Sequence, residues 1–266
     1  MTHDLPLTSC LMISDGRREY TARAIYCFQQ QNWPCKELVI IDRGEEDLSP
    51  LLEDVPASEL RYIRRPQDVS NKDASLKNFG LSHTTGRFVA NWKETDWYHP
   101  DRLRCQAEIL MQGFNACWMS VAILHLDHPE YVHHPYIDFP SGGYAESLMF
   151  RKMDKVRYPD NSKYPDSALL SALLSEWGES ECKQLDATYD RLIVRSLEGD
   201  TKSKNYKKFL SGYRNRIVDM ALWAWLRIRG RSKVSHNRFK LSPEARASFQ
   251  QYLNESHRLG IIKSVS

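Results

Sequence analysis

Short apolar runs alternate with helical patterns over the first hundred residues, and this alternation is the strongest constraint on the fold. The apolar runs lie at residues 8–13, 37–42, 60–63 and 87–92, and helical patterns lie at 17–28 and 74–83. Runs of this length are typical of buried strands, and strands that alternate with helices favour a parallel, doubly wound sheet. Such sheets bind ligands at the carboxyl ends of their strands. We therefore expect an α/β fold whose site is built from residues that follow strands.

The second half of the chain continues with helices and strands and then changes character. Further elements are expected at 100–111 (helix), 117–126 (strand), 147–150 (strand), 167–177 (helix), 191–195 (strand) and 242–259 (helix). Beyond residue 202 the pattern is helical and highly charged. We predict one domain over residues 1–201 and a basic helical C-terminal extension over 202–266.

Composition indicates a globular protein rather than a membrane-spanning one. Hydrophobic residues make up 41% of the 266 positions, and no apolar run approaches the roughly 18 residues that a bilayer-spanning helix needs. The N-terminal residues lack the pattern of a signal peptide. The six cysteines include no CxxC pair, which argues against a zinc or disulfide framework. We expect a cytoplasmic protein, either free or attached at the inner face of the membrane.

Four segments together resemble the family-2 glycosyltransferases of the GT-A fold. They are Ser9–Arg17, Cys27–Gly44, Leu76–Gly86 and Trp92–Leu103, and they occur in the family's order. The likeness is good over residues 7–105 and weaker to about 201. It implies a Rossmann-like, mostly parallel central sheet flanked by helices, and a site for a nucleotide-sugar donor.

Several residues match positions that bind the donor in that family. Ser14 and Asp15 lie in the segment that resembles the first loop, which touches the base, and Asp42 keeps the first of two acidic positions after the second strand, with Arg43 at the other. Lys77 matches an arginine that faces the base or a phosphate. Asp42 is also consistent with a turn or capping residue, and Lys77 with a solvated helix face.

The Asp-x-Asp motif of the family is altered in this chain. Its place is taken by Lys93-Glu94-Thr95-Asp96, so that both motif carboxylates are lost. Three hypotheses follow. Lys93 supplies the positive charge itself; Glu94 and Asp96 recruit Mn²⁺ or Mg²⁺ after a small shift; or the donor site is inactive.

The acceptor side offers one candidate general base. Asp166 follows Pro165 at the place where the family carries a Glu-Asp pair at the start of a helix, and the resemblance implies that this aspartate deprotonates the acceptor hydroxyl. A helix-capping role for Asp166 is the alternative. Gly142 and Gly143 resemble a flexible loop beside the acceptor. Arg195 begins the segment where relatives place a histidine near the diphosphate, and is a candidate phosphate ligand.

The resemblance as a whole implies transfer of a sugar from a nucleotide donor to a glycan or lipid-linked acceptor, with inversion, as in surface polysaccharide biosynthesis. Because the motif is altered, a catalytically inactive GT-A module that binds or scaffolds in polysaccharide assembly is the alternative. Metal dependence stays open. A histidine group also suggests a metal site, but its spacing matches no standard zinc pattern; its members are His125, His128, His133 and His134.

The segment from Lys202 to Lys240 carries twelve lysines and arginines against one acid, Asp219, a net charge of +11. Since the whole chain has a net charge of +3, the remainder carries −8. Tryptophans beside basic clusters are typical of an interfacial membrane helix, so we expect contact with an anionic membrane surface through residues 202–240. Packing of this helix on the core is an equal alternative, and nucleic-acid binding is a weaker one because no recognition motif accompanies it.

Overall fold

The computed structural model describes residues 5–126, 135–138, 140, 142–160, 162–197, 220–221, 224–225, 228 and 241–262. The chain divides into two compact units, the first formed by Met1–Trp118 and Ala145–Gln184 and the second by Met119–Tyr144 and Leu185–Ser266. The boundary expected between residues 201 and 202 lies outside the described residues. No helix in the described ranges is long and apolar enough to cross a membrane.

The predicted helices and strands occur in the predicted order, and three short strands that were not predicted, at Asp96–Tyr98, Tyr136–Asp138 and Cys182–Leu185, lie between them. The strands are β1 (Thr8–Ser14), β2 (Lys36–Asp42), β3 (Leu60–Arg64), β4 (Phe88–Asn91), β5 (Asp96–Tyr98), β6 (Ala116–Met119), β7 (Ala122–Leu126), β8 (Tyr136–Asp138), β9 (Tyr144–Arg151), β10 (Cys182–Leu185) and β11 (Ile193–Leu197). The α-helices are α1 (Arg18–Gln29), α2 (Asp73–His83), α3 (Arg102–Met111), α4 (Pro165–Trp177) and α5 (Pro243–Arg258). Short 3-10 helices lie at Ser49–Leu51, Ala57–Glu59 and Ala187–Leu192.

The first unit is built on a seven-stranded sheet in the order β10-β6-β9-β4-β1-β2-β3. Strand β1 pairs in parallel with both β2 and β4, and β2 pairs in parallel with β3. Strand β9 is antiparallel to β4. The predicted mostly parallel sheet is confirmed. The single strand expected over 117–126 is instead two strands, β6 and β7, which lie in different sheets.

The central strands are buried on both faces, which explains why their sequences are continuous apolar runs rather than alternating ones. Leu38 and Ile40 on one face of β2, and Val39 and Ile41 on the other, have no exposed surface. Helix α2 packs closely on β1 at Gly80, where an added Cβ would lie 2.4 Å from the Leu11 side chain. The close approach fixes the helix that carries Lys77 relative to the sheet.

The second unit contains the strands β11, β7 and β8 and the helix α5. Strand β11 is parallel to β7, and β7 is antiparallel to β8. Helix α5 begins where the Ser242 side chain accepts a hydrogen bond from the Ala245 N–H. The predicted C-terminal helix is confirmed. His125 is fully buried in this unit with its Nδ1 2.8 Å from the Tyr252 hydroxyl, whereas His128, His133 and His134 lie outside the described residues.

Candidate active site

A cavity of about 200 Å³ opens at the carboxyl ends of β2, β1 and β4, which are neighbours in the sheet of the first unit. Strand β9 runs antiparallel to β4, so its early residue Glu146 reaches the same edge. The helices α2 and α4 contribute the remaining walls. The polar side chains around the cavity are Asp15, Arg17, Arg43, Asp73, Lys77, Asn91, Lys93, Glu94, Glu146, Lys163, Tyr164, Asp166 and Ser167.

Two glycines bring the loops after β1 and β2 into contact. An added Cβ on Gly16 would lie 2.9 Å from the Gly44 Cα, and one on Gly44 would lie 2.4 Å from the Gly16 Cα. Gly16 also has a φ of +78°, which favours glycine. The close contact lets the Arg43 Nε reach the Asp15 carboxylate at 2.6 Å. The Arg43 Nη1 contacts Asp73 on α2 at 2.7 Å, so one guanidinium joins three segments of the cavity wall.

Glu94 is buried, and both of its oxygens are occupied by donors from the protein. Its Oε1 accepts from the Arg17 guanidinium at 2.7 Å. Its Oε2 accepts from the Ser14 hydroxyl at 2.9 Å, and from the Asp15 N–H and the Thr21 hydroxyl at 3.2 Å. The carboxylate therefore ties the segment after β4 to the start of α1, and brings Ser14 and Asp15 together with Glu94.

Lys93 presents an exposed ammonium to the cavity, while its backbone is held in place. Its N–H and its carbonyl lie 2.6 Å and 3.2 Å from the Tyr98 hydroxyl. Burial first, and the charge of Asp96 second, raise the pKa of Tyr98 well above its usual value, so its hydroxyl stays protonated and can donate to the carbonyl. Within the described residues, the Lys93 ammonium has no ion pair. The same holds for the Lys163 ammonium, which lies 5.5 Å from the ring centre of Tyr164.

Asp166 lies in the first turn of α4 and points to the sheet rather than to the helix end. Its Oδ1 accepts from the Lys77 ammonium in an ion pair and from the Asn91 side-chain amide at 2.7 Å. No side chain caps α4 at its N-cap, Tyr164. Lys77 and Asp166, which are 89 positions apart, are thus brought together, and Lys77 does not point into solvent as a free helix-face residue would.

The remaining residues that were predicted to bind the nucleotide-sugar donor do not line the cavity. Asp42 is 1% exposed and holds the turn after β2, where it accepts from the Gly44 N–H, the Tyr62 hydroxyl and Arg64. This arrangement is the turn role considered for it from sequence. Thr95 and Asp96 are buried as the chain enters β5.

Arg195 belongs to the second unit rather than to the cavity wall. It lies on β11, with its Nη1 3.5 Å from Asp138 and its guanidinium 5.1 Å from the ring centre of Tyr144. Its place near the diphosphate stays a prediction.

Several cavity residues were not predicted from sequence. Arg17, Asn91, Glu146 and Lys163 are all polar or charged positions next to a strand or helix end, which is the signal that would have found them. Nothing in their local sequence indicates which of them pair with one another. Nothing local separates Arg43, which bridges two carboxylates, from Lys93, which bridges none.

The side chains at the altered motif do not form the ligand set of a divalent-cation site. Among the described residues, no group of three or more His, Cys, Asp and Glu side chains is arranged to hold a metal ion. The two positions that carry carboxylates in the family motif are a lysine and a threonine, Lys93 and Thr95. Glu94 already accepts from protein donors at both oxygens.

No protein-family model and no curated protein matches the sequence. Solved structures do match. The structure of residues 1–349 of TarS from S. aureus in complex with UDP-GlcNAc matches with a TM-score of 0.57 and 13% identity, over 74% of this chain and 61% of that one. The mannosyltransferase PcManGT from Pyrobaculum calidifontis, in complex with GDP-Man and Mn²⁺, matches with a TM-score of 0.54 and 12% identity, over 97% of this chain and 72% of that one.

This chain spans about three fifths of the length of the TarS fragment. At these identities the likeness concerns the fold. The chain has the GT-A fold of glycosyltransferases, as its four sequence segments predicted.

Proposed function

We propose that this GT-A protein is a glycosyltransferase that moves a sugar, with inversion, from a nucleoside-diphosphate donor to a hydroxyl of a glycan or lipid-linked acceptor. The observation that carries the proposal is one cavity that holds both an ammonium without an ion pair, on Lys93, and the Asp166 carboxylate. A diphosphate leaving group needs a cation and an attacking hydroxyl needs a base. The TarS and PcManGT structures hold UDP-GlcNAc and GDP-Man, which supports a donor of this class here.

The charges of the cavity favour a diphosphate. Of its cations, Arg17, Arg43 and Lys77 are paired with carboxylates, which leaves the ammonium groups of Lys93 and Lys163 without a carboxylate partner among the described residues. Lysine binds phosphate as a point charge. A lysine in place of a carboxylate and its metal keeps the sign of the local field, and we propose that Lys93 holds the leaving diphosphate without a divalent cation.

Asp166 serves as the proton acceptor in the proposed reaction. The acceptor oxygen forms a bond to the anomeric carbon while the bond from that carbon to the β-phosphate oxygen breaks. The hydroxyl proton moves to the Asp166 carboxylate, and the negative charge leaves on the diphosphate beside Lys93. A single displacement of this kind inverts the anomeric centre.

The first experiment measures donor consumption and transfer with panels of UDP- and GDP-sugars, in EDTA and in Mn²⁺. We expect turnover in EDTA, and we expect Lys93→Ala to weaken nucleoside-diphosphate binding about tenfold or more, because a charge-assisted contact to phosphate contributes roughly 1.5–3 kcal/mol. Lys183→Ala, at an exposed position of β10, is the matched control. Asp166→Asn should abolish transfer and leave nucleotide binding intact. Full activity of Lys93→Ala would refute the role of Lys93. Activity of the wild type only in Mn²⁺, and not in EDTA, would refute it as well.

A non-catalytic GT-A module is the alternative, and the loss of both motif carboxylates, to Lys93 and Thr95, is the observation that favours it. The two functions differ in one result. A module of this kind binds nucleotide or glycan but consumes no donor under any metal condition.

We also propose that the basic segment docks the protein on the cytoplasmic face of an anionic membrane, as a peripheral protein. Between residues 202 and 240 the structure describes five helical positions, and three of them expose large apolar side chains: Met220 at 53%, Trp225 at 44% and Ile228 at 86%. The surrounding sequence carries a net charge of +11, which complements anionic headgroups. Much of segment 202–240 lies outside the described residues.

Flotation with vesicles that contain phosphatidylglycerol tests this docking. We expect the full chain to float with these vesicles but not with phosphatidylcholine vesicles, and Ile228→Glu to reduce flotation while nucleotide binding is kept. An absence of flotation would leave packing on the core as the role of the segment, and competition by RNA or DNA at physiological salt would favour nucleic acid.

A further inference from the structure

A row of buried hydrogen bonds stands behind Asp166. The Asn91 side-chain amide donates to the Asp166 Oδ1 at 2.7 Å, and the Tyr158 hydroxyl contacts the Asn91 Oδ1 at 2.5 Å. Asn91 is 4% exposed and Tyr158 is 1% exposed. Neither residue was given a role from sequence. We call Tyr158, Asn91 and Asp166 the relay.

The direction of each hydrogen bond in the relay is fixed by chemistry. An ionised carboxylate only accepts, so the Asn91 NH₂ group must face Asp166 and its Oδ1 must face Tyr158. The Tyr158 hydroxyl then has to donate. Burial first, and the charge of Asp166 second, raise the pKa of Tyr158 well above its usual value, so the phenol keeps its proton and the arrangement has no competing alternative.

Both inner members of the relay are anchored by further contacts. The Asn78 side chain donates to the Tyr158 carbonyl at 2.9 Å and accepts from the Tyr158 N–H at 2.8 Å, which ties this loop to α2. The Asn91 carbonyl accepts from the buried guanidinium of Arg102 at 2.7 Å. The relay is therefore a preorganised support rather than a chance contact of mobile side chains.

The relay orients one oxygen of Asp166 and leaves the other without a donor. Lys77 and Asn91 both donate to Oδ1, and no described residue donates to Oδ2. Asp166 lines the cavity, so a substrate hydroxyl can approach its carboxylate from there. With Oδ1 held by two donors, Oδ2 is the oxygen that can accept a proton.

We propose that Asn91 and Tyr158 are positioning residues for the transfer reaction, which hold Asp166 so that its Oδ2 takes the proton of the acceptor hydroxyl. This inference rests on the proposed function and deepens it. Tyr158 does not line the cavity, and the side-chain amide of Asn91, which does line it, is already bonded to Asp166 and Tyr158. Both act through Asp166, so their loss should lower the rate of transfer without changing donor affinity.

Tyr158→Phe is the sharpest test, because it removes one hydroxyl and keeps the ring, whose centre lies 5.2 Å from the Lys77 ammonium. We expect kcat for transfer to fall by about tenfold to a hundredfold, since displacing a catalytic group by an ångström or less has effects on that order. The Kd for nucleoside diphosphate should stay unchanged. Asn91→Leu, which removes the contact to Oδ1 itself, should lower kcat at least as much.

Tyr252→Phe is the matched control, because Tyr252 is an equally buried tyrosine whose hydroxyl contacts His125 in the second unit. We expect Tyr252→Phe to lower the free energy of unfolding about as much as Tyr158→Phe does, and to leave kcat unchanged. Turnover is expressed per nucleotide-binding site, measured by calorimetric stoichiometry, so that partial unfolding cannot imitate the effect. If the wild type binds nucleotide and transfers nothing, the proposed function fails. If the wild type transfers sugar and both relay variants keep wild-type kcat per site, the relay alone is overturned.

Discussion

At the scale of single residues, Glu94 shows how a carboxylate inside an altered motif can change its role. It lies one position after Lys93, inside the segment that resembles a metal-binding motif, but the protein surrounds it with donors of its own. A carboxylate whose lone pairs are taken by an arginine, two hydroxyls and a backbone N–H acts as an internal acceptor. The Glu94 carboxylate therefore holds the loops of the cavity together and does not serve as a ligand-binding group.

Replacing Glu94 by glutamine should lower the free energy of unfolding by about 2–3 kcal/mol. The change removes the buried negative charge that pairs with Arg17, and it places a side-chain NH₂ group against other hydrogen-bond donors. Urea denaturation measures the loss. Glu45→Gln, at an exposed position of the next loop, should change stability by less than about 0.5 kcal/mol. A stabilisation by Mn²⁺ that the wild type shows and Glu94→Gln lacks would contradict this role and restore Glu94 as a metal ligand.

The sequence predicted which residue types gather at the cavity better than it predicted their partners. Asp15, Lys77, Lys93, Glu94 and Asp166, all singled out from sequence, line the cavity. The pairing of Lys77 with Asp166, and of Asn91 with Asp166, spans 89 and 75 positions. Such contacts depend on how α4 sits against the sheet, which no local pattern encodes.

At the scale of elements, Glu37 at the start of β2 joins three segments of the first unit. Its carboxylate accepts from the Ser9 hydroxyl on β1 at 2.6 Å and from the N–H and hydroxyl of Thr85 in the turn before β4. Arg61 on β3 lies 3.4 Å away. Burial, the largest influence, raises the pKa of Glu37, but the hydrogen bonds from Ser9, Thr85 and Arg61 outweigh it and hold the pKa below its ordinary value of 4.5.

The free energy of unfolding should consequently fall as the pH drops below about 4.5, because Glu37 becomes protonated in the unfolded chain at a pH where it is still ionised in the folded protein. The contribution is complete above the unfolded pKa and lost as the pH passes down through the folded pKa. When the free energy of unfolding is measured in urea between pH 5 and pH 3, it should depend less steeply on pH in Glu37→Gln than in the wild type. Glu53→Gln makes the same change at an exposed position; an equal slope in the wild type and Glu37→Gln would rule out the contribution.

The elements themselves were the most predictable part of the molecule. The apolar runs that became β1, β2 and β4 are buried on both faces and have no alternating period, and it is their short length that favours strands over helices. The run at 117–126 misled because β6 and β7 are both apolar and only Ser120 and Val121 separate them. Apolarity reports burial, and it does not report that two consecutive strands enter different sheets.

At the scale of the whole molecule, the cavity and the basic segment fall in different units. All of the residues that line the cavity belong to the first unit, whereas residues 202–240 belong to the second. Five of the seven tryptophans, at positions 33, 92, 97, 118 and 177, also belong to the first unit. Tryptophan fluorescence thus mainly follows the unit that carries the proposed donor site.

UDP or GDP at a hundredfold excess over its Kd should stabilise the folded state by about 2.7 kcal/mol and raise the fluorescence midpoint of thermal unfolding. If calorimetry resolves two transitions, only the one that coincides with the fluorescence change should move. A nucleotide-dependent shift confined to the other transition would place the binding site in the second unit and contradict the cavity assignment.

The ion pair between Lys77 and Asp166 has a consequence for the order in which two substrates bind. The cation suited to a donor phosphate and the anion suited to an acceptor hydroxyl are paired with one another in the cavity wall. If a donor phosphate draws Lys77 away, Asn91 still holds the Asp166 Oδ1, and the free energy of separating the ion pair falls on whichever substrate binds first. The second substrate then binds more tightly, and thermodynamic linkage makes this cooperativity equal in both directions.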